Sequence, residues 1–484
     1  MDQSGGEQAG WKFWKQRRYV VTLLAFLGFF NVYSLRVNLS VAIVDMTSVR
    51  KIVTENGTQY LEPDFDWDSK TQGLILSSFF YGYICTQLLG GWFSTKYGGA
   101  TVYGLGVTTT AFLTLITPLV VSTSSYYPLV ILRIIEGLFE GVTYPCIHTV
   151  WSKWAPPAER ASMASFAFSG SYVGTVIAMP LSGVLAENFG WPSIFYVTGI
   201  VGLIWSCAWY YFVKNTPEDD INVTPEEHKY LKEALGDVNT KEIVHPWKEF
   251  LKSMPLWAIV MAHFCENWGF YTLLTQLPTF MKDTLNFELT KAGILASLPY
   301  LVMAIIMQFA GRLSDWLCNK KILSVTNVRK TFNCTAFLSQ TVFMILAAHL
   351  MTASGVIICL VLAVGLGAFS WPAFGVNHLD IAPQHAGVLM GFSNTFGTLP
   401  GIFSPLISGF IVTNRTAEEW AIVFYIAATL YLIGAIFYGV FASAERQHWA
   451  LDKEETNMKK ETNMKKETNS YVNGALILDE TQTV

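Results

Sequence analysis

Charge is what this chain has little of. Of 484 residues only 14% are Asp, Glu, Lys or Arg, while 52% are hydrophobic and 14% aromatic. A soluble domain usually carries about 25% charged residues, so the composition points to a membrane. The formal net charge is −4 and no basic field is present, which leaves no nucleic-acid partner to expect. The seven cysteines lie in or beside apolar stretches without any CxxC pair, which speaks against a disulfide framework and a metal site. HExxH, a phosphate-binding loop and a nucleophile–base arrangement are missing as well. Neither an enzyme nor a nucleotide-driven pump is expected, and no cofactor beyond a coupling ion. No cleavable leader is expected either, because the first apolar run is too long and continues as a span.

What is there is a series of twelve apolar stretches, each near the roughly 20 residues that a helix needs to cross a bilayer. They cover 19–45, 71–95, 101–122, 127–151, 162–186 and 191–213, then 256–281, 291–316, 329–350, 354–380, 385–411 and 419–442. The expected fold is an all-α polytopic membrane protein with two pseudo-symmetric six-helix halves, 19–213 and 255–443. An N-terminal arm (1–18), a central loop (214–254) and a disordered tail (444–484, with ETNMKK in tandem) complete it. Lys and Arg gather in the arm, in the central loop and near 312–330. The positive-inside rule therefore puts both termini and the central loop in the cytoplasm. The sequons at Asn56 and Asn414 fall on the outer side and are expected to be glycosylated. An echo supports duplication: GWFSTKYG (91–98) after the second span and GRLSDWL (311–317) after the eighth. Two such halves around a midplane site is a recurrent transporter plan.

The few charges inside the spans carry the functional argument. Arg133, Glu136 and Glu140 stand at i, i+3 and i+7 in the fourth span, on one helix face. Ionisable groups at such depth are costly and usually face a bundle interior or an aqueous cavity. Arg36, about 17 residues into the first span, comes to a depth similar to Arg133 at 1.5 Å per residue. Two guanidiniums converging there would bind a carboxylate or phosphate. The alternative for Arg36 is a salt bridge to Asp45 or to a fourth-span Glu. Glu136 and Glu140 are candidates for coupling to a proton or a sodium ion, with Glu140 expected to attract Arg133. Glu266, mid-span in the second half, would serve substrate or sodium. Tyr300 is expected at the cavity wall. Asn377, Ser393 and Asn394 would either hydrogen-bond substrate or join helices. His148 and His263 read as core histidines.

NVYSLRVNLSVAIVDM (31–46), LRIIEGLFEGVTYP (132–145), WSKWAPPAER (151–160) and FGVNHLDIAP (374–383) resemble a family of anion transporters. It includes sialin, the vesicular glutamate transporters and the sodium/phosphate cotransporters, a branch of the major facilitator superfamily. The resemblance implies that Arg36 and Arg133 recognise substrate and that acids at Glu136 and Glu140 couple transport. It also implies a cytoplasmic gate containing Glu159 and Arg160, matched in the second half by Arg312 and Asp315. Thr95 departs from the family, standing where the superfamily usually has Asp. Leu76, Glu266 and Tyr300 stand where the vesicular glutamate transporters carry His, Arg and His. That loss of a second-half cation speaks against glutamate. The expectation is thus a monomeric secondary carrier of small anions, such as sialic acid or other organic carboxylates, by proton symport and alternating access. Sodium-dependent phosphate cotransport is the alternative, and a non-transporting receptor or scaffold the rival from another class. The plasma membrane is the default location, with a lysosomal or vesicular membrane open.

Overall fold

The computed structural model describes residues 16–47, 49–53, 59–67, 69–121, 125–235, 245–285, 289–350, 352–413 and 416–450. The sequons at Asn56 and Asn414 and the tail repeats lie outside them. The first half comprises α1 (Arg17–Met46), α2 (Ser69–Tyr97), α3 (Gly99–Val121), α4 (Tyr127–Glu140), α5 (Thr143–Trp154), α6 (Arg160–Phe189) and α7 (Pro192–Phe212). Two helices of the central loop follow, α8 (Pro225–Leu235) and α9 (Trp247–Lys252). The second half comprises α10 (Met254–Leu285), α11 (Leu289–Asn319), α12 (Val325–Leu350), α13 (Ala353–Gly367), α14 (Val376–Ile381), α15 (Ala386–Ile411) and α16 (Ala417–Phe441).

Proline explains the two interruptions. Pro145 has no N–H to offer the Gly141 carbonyl, and the fourth span breaks there into α4 and α5. Pro372 sits where the tenth span tightens to a 3-10 turn (Ala368–Ser370) and then widens to a π turn (Trp371–Gly375) before α14. Both breaks fall in the fourth span of their half, a pairing that marks a site at the repeat interface. Among the described residues nine helical stretches are long and apolar enough to cross a membrane. The remaining three of the twelve expected spans are α4–α5, α10 and α15, each carrying buried polar residues.

Within the halves α1 packs on α6, α2 on α4, α3 on α7, α10 on α15 and α12 on α16. The halves meet along α2–α15 and α6–α11, two seams that exchange under the pseudo-twofold. The echoed glycines explain the close approach. A Cβ on Gly91 would meet the Gly387 carbonyl oxygen at 2.6 Å, and one on Gly311 would meet the Ala161 carbonyl oxygen at 3.0 Å.

The loop after α1 holds an antiparallel hairpin that sequence reading missed, β1 (Val49–Val53) with β2 (Gln59–Pro63), Val49 opposite Pro63. Trp191 Nε1 donates to Asp64 at 3.0 Å just beyond it. At the terminal face, where α1 begins and α16 ends, the expected arm and tail are shorter than supposed. Arg17 and Arg18 already belong to α1, and Glu227 of α8 accepts their backbone N–H groups at 2.8 and 3.1 Å. This carboxylate serves donors that a helix start leaves orphaned. Arg17 also pairs with Asp220 at 2.8 Å. Residues 444–450, expected as loose tail, are strapped down: Gln447 N donates to Ile381 O at 2.9 Å and Trp449 packs 5.0 Å from Phe250. Beside them His245 Nδ1 and His385 Nδ1 lie within hydrogen-bond distance at 3.0 Å. Burial pushes His245, in the central loop, below its ordinary value.

Candidate functional site

The helical spacing of α4 places Arg133, Glu136 and Glu140 on one face, 4, 1 and 0% exposed. The partners differ from expectation. Glu140 Oε1 accepts from Arg36 Nε at 2.8 Å and Nη2 at 2.5 Å, while Arg133 Nη1 pairs with Glu136 Oε2 at 2.7 Å. Glu140 therefore bonds Arg36 of α1, the salt bridge to a fourth-span Glu expected as the alternative for Arg36, and attracts Arg133 only at longer range. The i, i+3 neighbour claims Arg133, and Thr114 of α3 donates to the other Glu136 oxygen at 3.2 Å. Both guanidiniums lie 5.1 Å from the Phe79 ring, and Arg36 also sits 4.7 Å from Tyr33 and Tyr83. Arg36 Nη1, Arg133 Nε and Glu140 Oε2 are buried without a hydrogen-bond partner among the described residues.

A small polar cavity adjoins these pairs, walled by both halves. Tyr33, Tyr83, Tyr144 and Tyr172 face Glu266, Asn267, Trp371 and Asn394 across it. Its free space of about 20 Å³ holds roughly one water and no substrate-sized anion. Arg36 thus stands behind the Tyr33 and Tyr83 rings, one layer from the cavity, and Arg133 lies against Phe79. Glu266 is 4% exposed, has Gln340 and Ser370 facing it, and has no basic group within ion-pair distance among the described residues.

The remaining second-half residues divide. Asn394 Nδ2 donates across the seam to Gln87 Oε1 at 2.7 Å and lines the cavity. Ser393 Oγ sits between His378 Nε2 at 2.8 Å and His263 Nδ1 at 3.2 Å. Asn377 bonds Tyr438 at 3.0 Å, away from the cavity. Tyr300 lies nearly parallel to Tyr172, ring centroids 6.5 Å apart. His148 joins the halves, its Nε2 2.8 Å from Gly375 O.

The terminal face is latched shut between the halves, by only two of the four expected gate residues. Asp315 accepts from the backbone N–H groups of Ala161 and Ser162 at 3.1 and 2.7 Å, at the start of α6. Arg160 Nη1 donates to Leu379 O at 3.2 Å and Asp380 at 3.4 Å. Glu159 instead stays with the first half and central loop, taken by Arg18, Tyr19 and Tyr230. Tyr230 on α8 is pushed up to about 12 by burial and by that carboxylate. Arg312 makes no hydrogen bond or ion pair with any described residue and lines a groove between α1, α6 and α11 instead. Sequence reading missed Arg329, which clamps Asp380 at 2.8 Å and the Pro372 carbonyl at 2.7 Å. An Asp in the apolar HLDIAP stretch was the available signal.

Comparison with known proteins agrees with this architecture. The model of the Major Facilitator Superfamily matches residues 19–405. Vesicular glutamate transporter 3 of Danio rerio is 43% identical over 91% of this chain and 75% of its own length. Human sialin is 42% identical over 90% of this chain and 91% of its own. Among solved structures, the proton:xylose symporter XylE superposes with a TM-score of 0.67 at 16% identity, covering 89% of this chain and 97% of that one. At that identity it speaks for the fold alone. The chain is a multi-pass membrane protein belonging to the major facilitator superfamily, in the anion-transporter branch that includes sialin and the vesicular glutamate transporters.

Proposed function

We propose that this transporter carries small organic carboxylates by proton symport, rocking its halves about the Tyr-lined cavity. The terminal face is cytoplasmic, as the Lys and Arg distribution supports. One observation carries the reading: Glu140 holds Arg36 through one oxygen, while its other oxygen and Arg36 Nη1 have no hydrogen-bond partner among the described residues. A carboxylate entering the cavity competes with Glu140 for Arg36. Protonation of Glu140 removes the competitor, so proton and anion bind together. Arg133 and Glu136 form a parallel pair with the same logic. Carboxylate cargo is supported by the relative named for glutamate, itself a carboxylate.

A second reading rests on Glu266, whose carboxylate faces the cavity without a cation and suits sodium. The test is uptake into proteoliposomes of a sialic-acid-type carboxylate or phosphate, each under an inward proton or sodium gradient. Proton-driven carboxylate uptake is expected, and Glu140→Gln abolishes gradient-driven accumulation while leaving exchange. Sodium-driven phosphate uptake indifferent to Glu140→Gln would overturn this in favour of Glu266.

A further inference from the structure

Arg312, left out of the latch, lines a groove of about 530 Å³ between α1, α6 and α11. Leu23, Met163 and Phe166 make the groove largely apolar, and Glu159, Gln308 and the hydroxyls of Tyr19, Thr22 and Ser162 join Arg312 as its polar members. The neighbouring Leu27, Phe309 and Trp316 are 37, 60 and 51% exposed, as on a surface bordered by hydrocarbon. Arg312 stands seven residues before the end of α11, about 10 Å inside it at 1.5 Å per residue. A guanidinium there is costly without an anion, and it is long enough to snorkel to phosphate depth, where it can bind bidentately. Glu159 is already taken by Arg18, so no acid at the groove is left for the ammonium of a zwitterionic headgroup. The groove also has walls from both halves. Gln308 Nε2 donates to Ser169 one turn to one side and Asp315 caps α6 one turn to the other, so parting α6 from α11 would split it.

We propose that this groove binds an anionic phospholipid of the leaflet at the terminal face, its phosphate on Arg312 and an acyl chain along Leu23, Met163 and Phe166. A lipid that fits only the closed seam shifts the population toward that state. The test is thermal unfolding of the full chain in micelles supplemented with phosphatidylserine or phosphatidylcholine. Phosphatidylserine is expected to raise the midpoint by several degrees and phosphatidylcholine not to. Arg312→Ala loses that difference, Arg312→Lys retains part of it, and Leu23→Trp loses it by filling the groove with Arg312 intact. Equal stabilisation by both lipids, or selectivity surviving in Arg312→Ala and Leu23→Trp, would overturn the site. Inorganic phosphate reproducing the shift would replace the lipid by a free anion. For the conformational effect, Ser165 lies at the α6–α11 seam against Gly311, and Ser165→Cys in a cysteine-free variant should alkylate severalfold more slowly in phosphatidylserine vesicles than in phosphatidylcholine vesicles. Equal rates would overturn that part.

Discussion

The two halves share a plan and divide the chemistry in opposite ways. Around the cavity the first half holds two buried ion pairs, Arg36–Glu140 and Arg133–Glu136. The second half offers Glu266 without a cation, with Asn267 and Asn394. At the terminal face the order reverses. Asp315 of the second repeat caps α6 across the seam, whereas its counterpart Thr95 turns its hydroxyl back on Gly91 O at 3.0 Å. Duplication has preserved the close glycine seams and let the ionisable groups drift apart. The buried ion pairs beside the cavity then belong to one half, while at the terminal face Asp315, Asp380 and Arg329 of the other half are met by Arg160 of the first.

The largest effect should come from breaking the cavity side of this contrast. Arg36→Ala leaves Glu140 buried and uncompensated, a loss of about 3–5 kcal/mol of stability, and anion uptake falls to background. Pairing it with Glu140→Gln removes the stranded charge. Thermal unfolding of the double variant is then expected near wild type while uptake stays absent. Uptake recovered with stability would reduce Arg36 to a structural strut and leave the asymmetry without functional meaning.

How much of this was legible follows from which forces are local. Span positions are written in hydropathy, and the common face of Arg133, Glu136 and Glu140 follows from helical spacing alone. Which acid holds which arginine does not, since Glu140 reaches α1, 104 residues away in sequence. Arg329 counted as a loop charge for topology, yet it is 3% exposed and bonded to Asp380. Its role depends on the Pro372 turn bringing carbonyls toward it, which no local pattern announces. The hairpin was missed because VRKIV and QYLEP show no clear alternation, and pairing between them decides the structure.

A smaller effect is expected at the latch. Asp315→Asn weakens two charge-assisted bonds to the start of α6, costing about 2 kcal/mol, roughly a thirtyfold shift toward an open terminal face. Alkylation of the Ser165→Cys reporter should speed up correspondingly. An unchanged rate would mean that Arg160 and Arg329 on Asp380 hold the face without Asp315.

Thr95→Asp sharpens the comparison with the smallest change, restoring to the first repeat what the second retains. Under the pseudo-twofold, Gly387 and Val388 at the start of α15 correspond to Ala161 and Ser162. A carboxylate at 95 would meet their N–H groups and the positive end of that helix, worth about 1 kcal/mol or roughly a fivefold shift toward the closed state. Uptake should slow by a similar factor and unfolding should require more heat, because the added bonds exist only while the face is closed. Faster uptake would show that opening this face does not limit turnover. Unchanged uptake together with unchanged stability would mean that the α2–α15 seam cannot bring position 95 to the start of α15, so the halves differ there in backbone geometry and not merely in side chain.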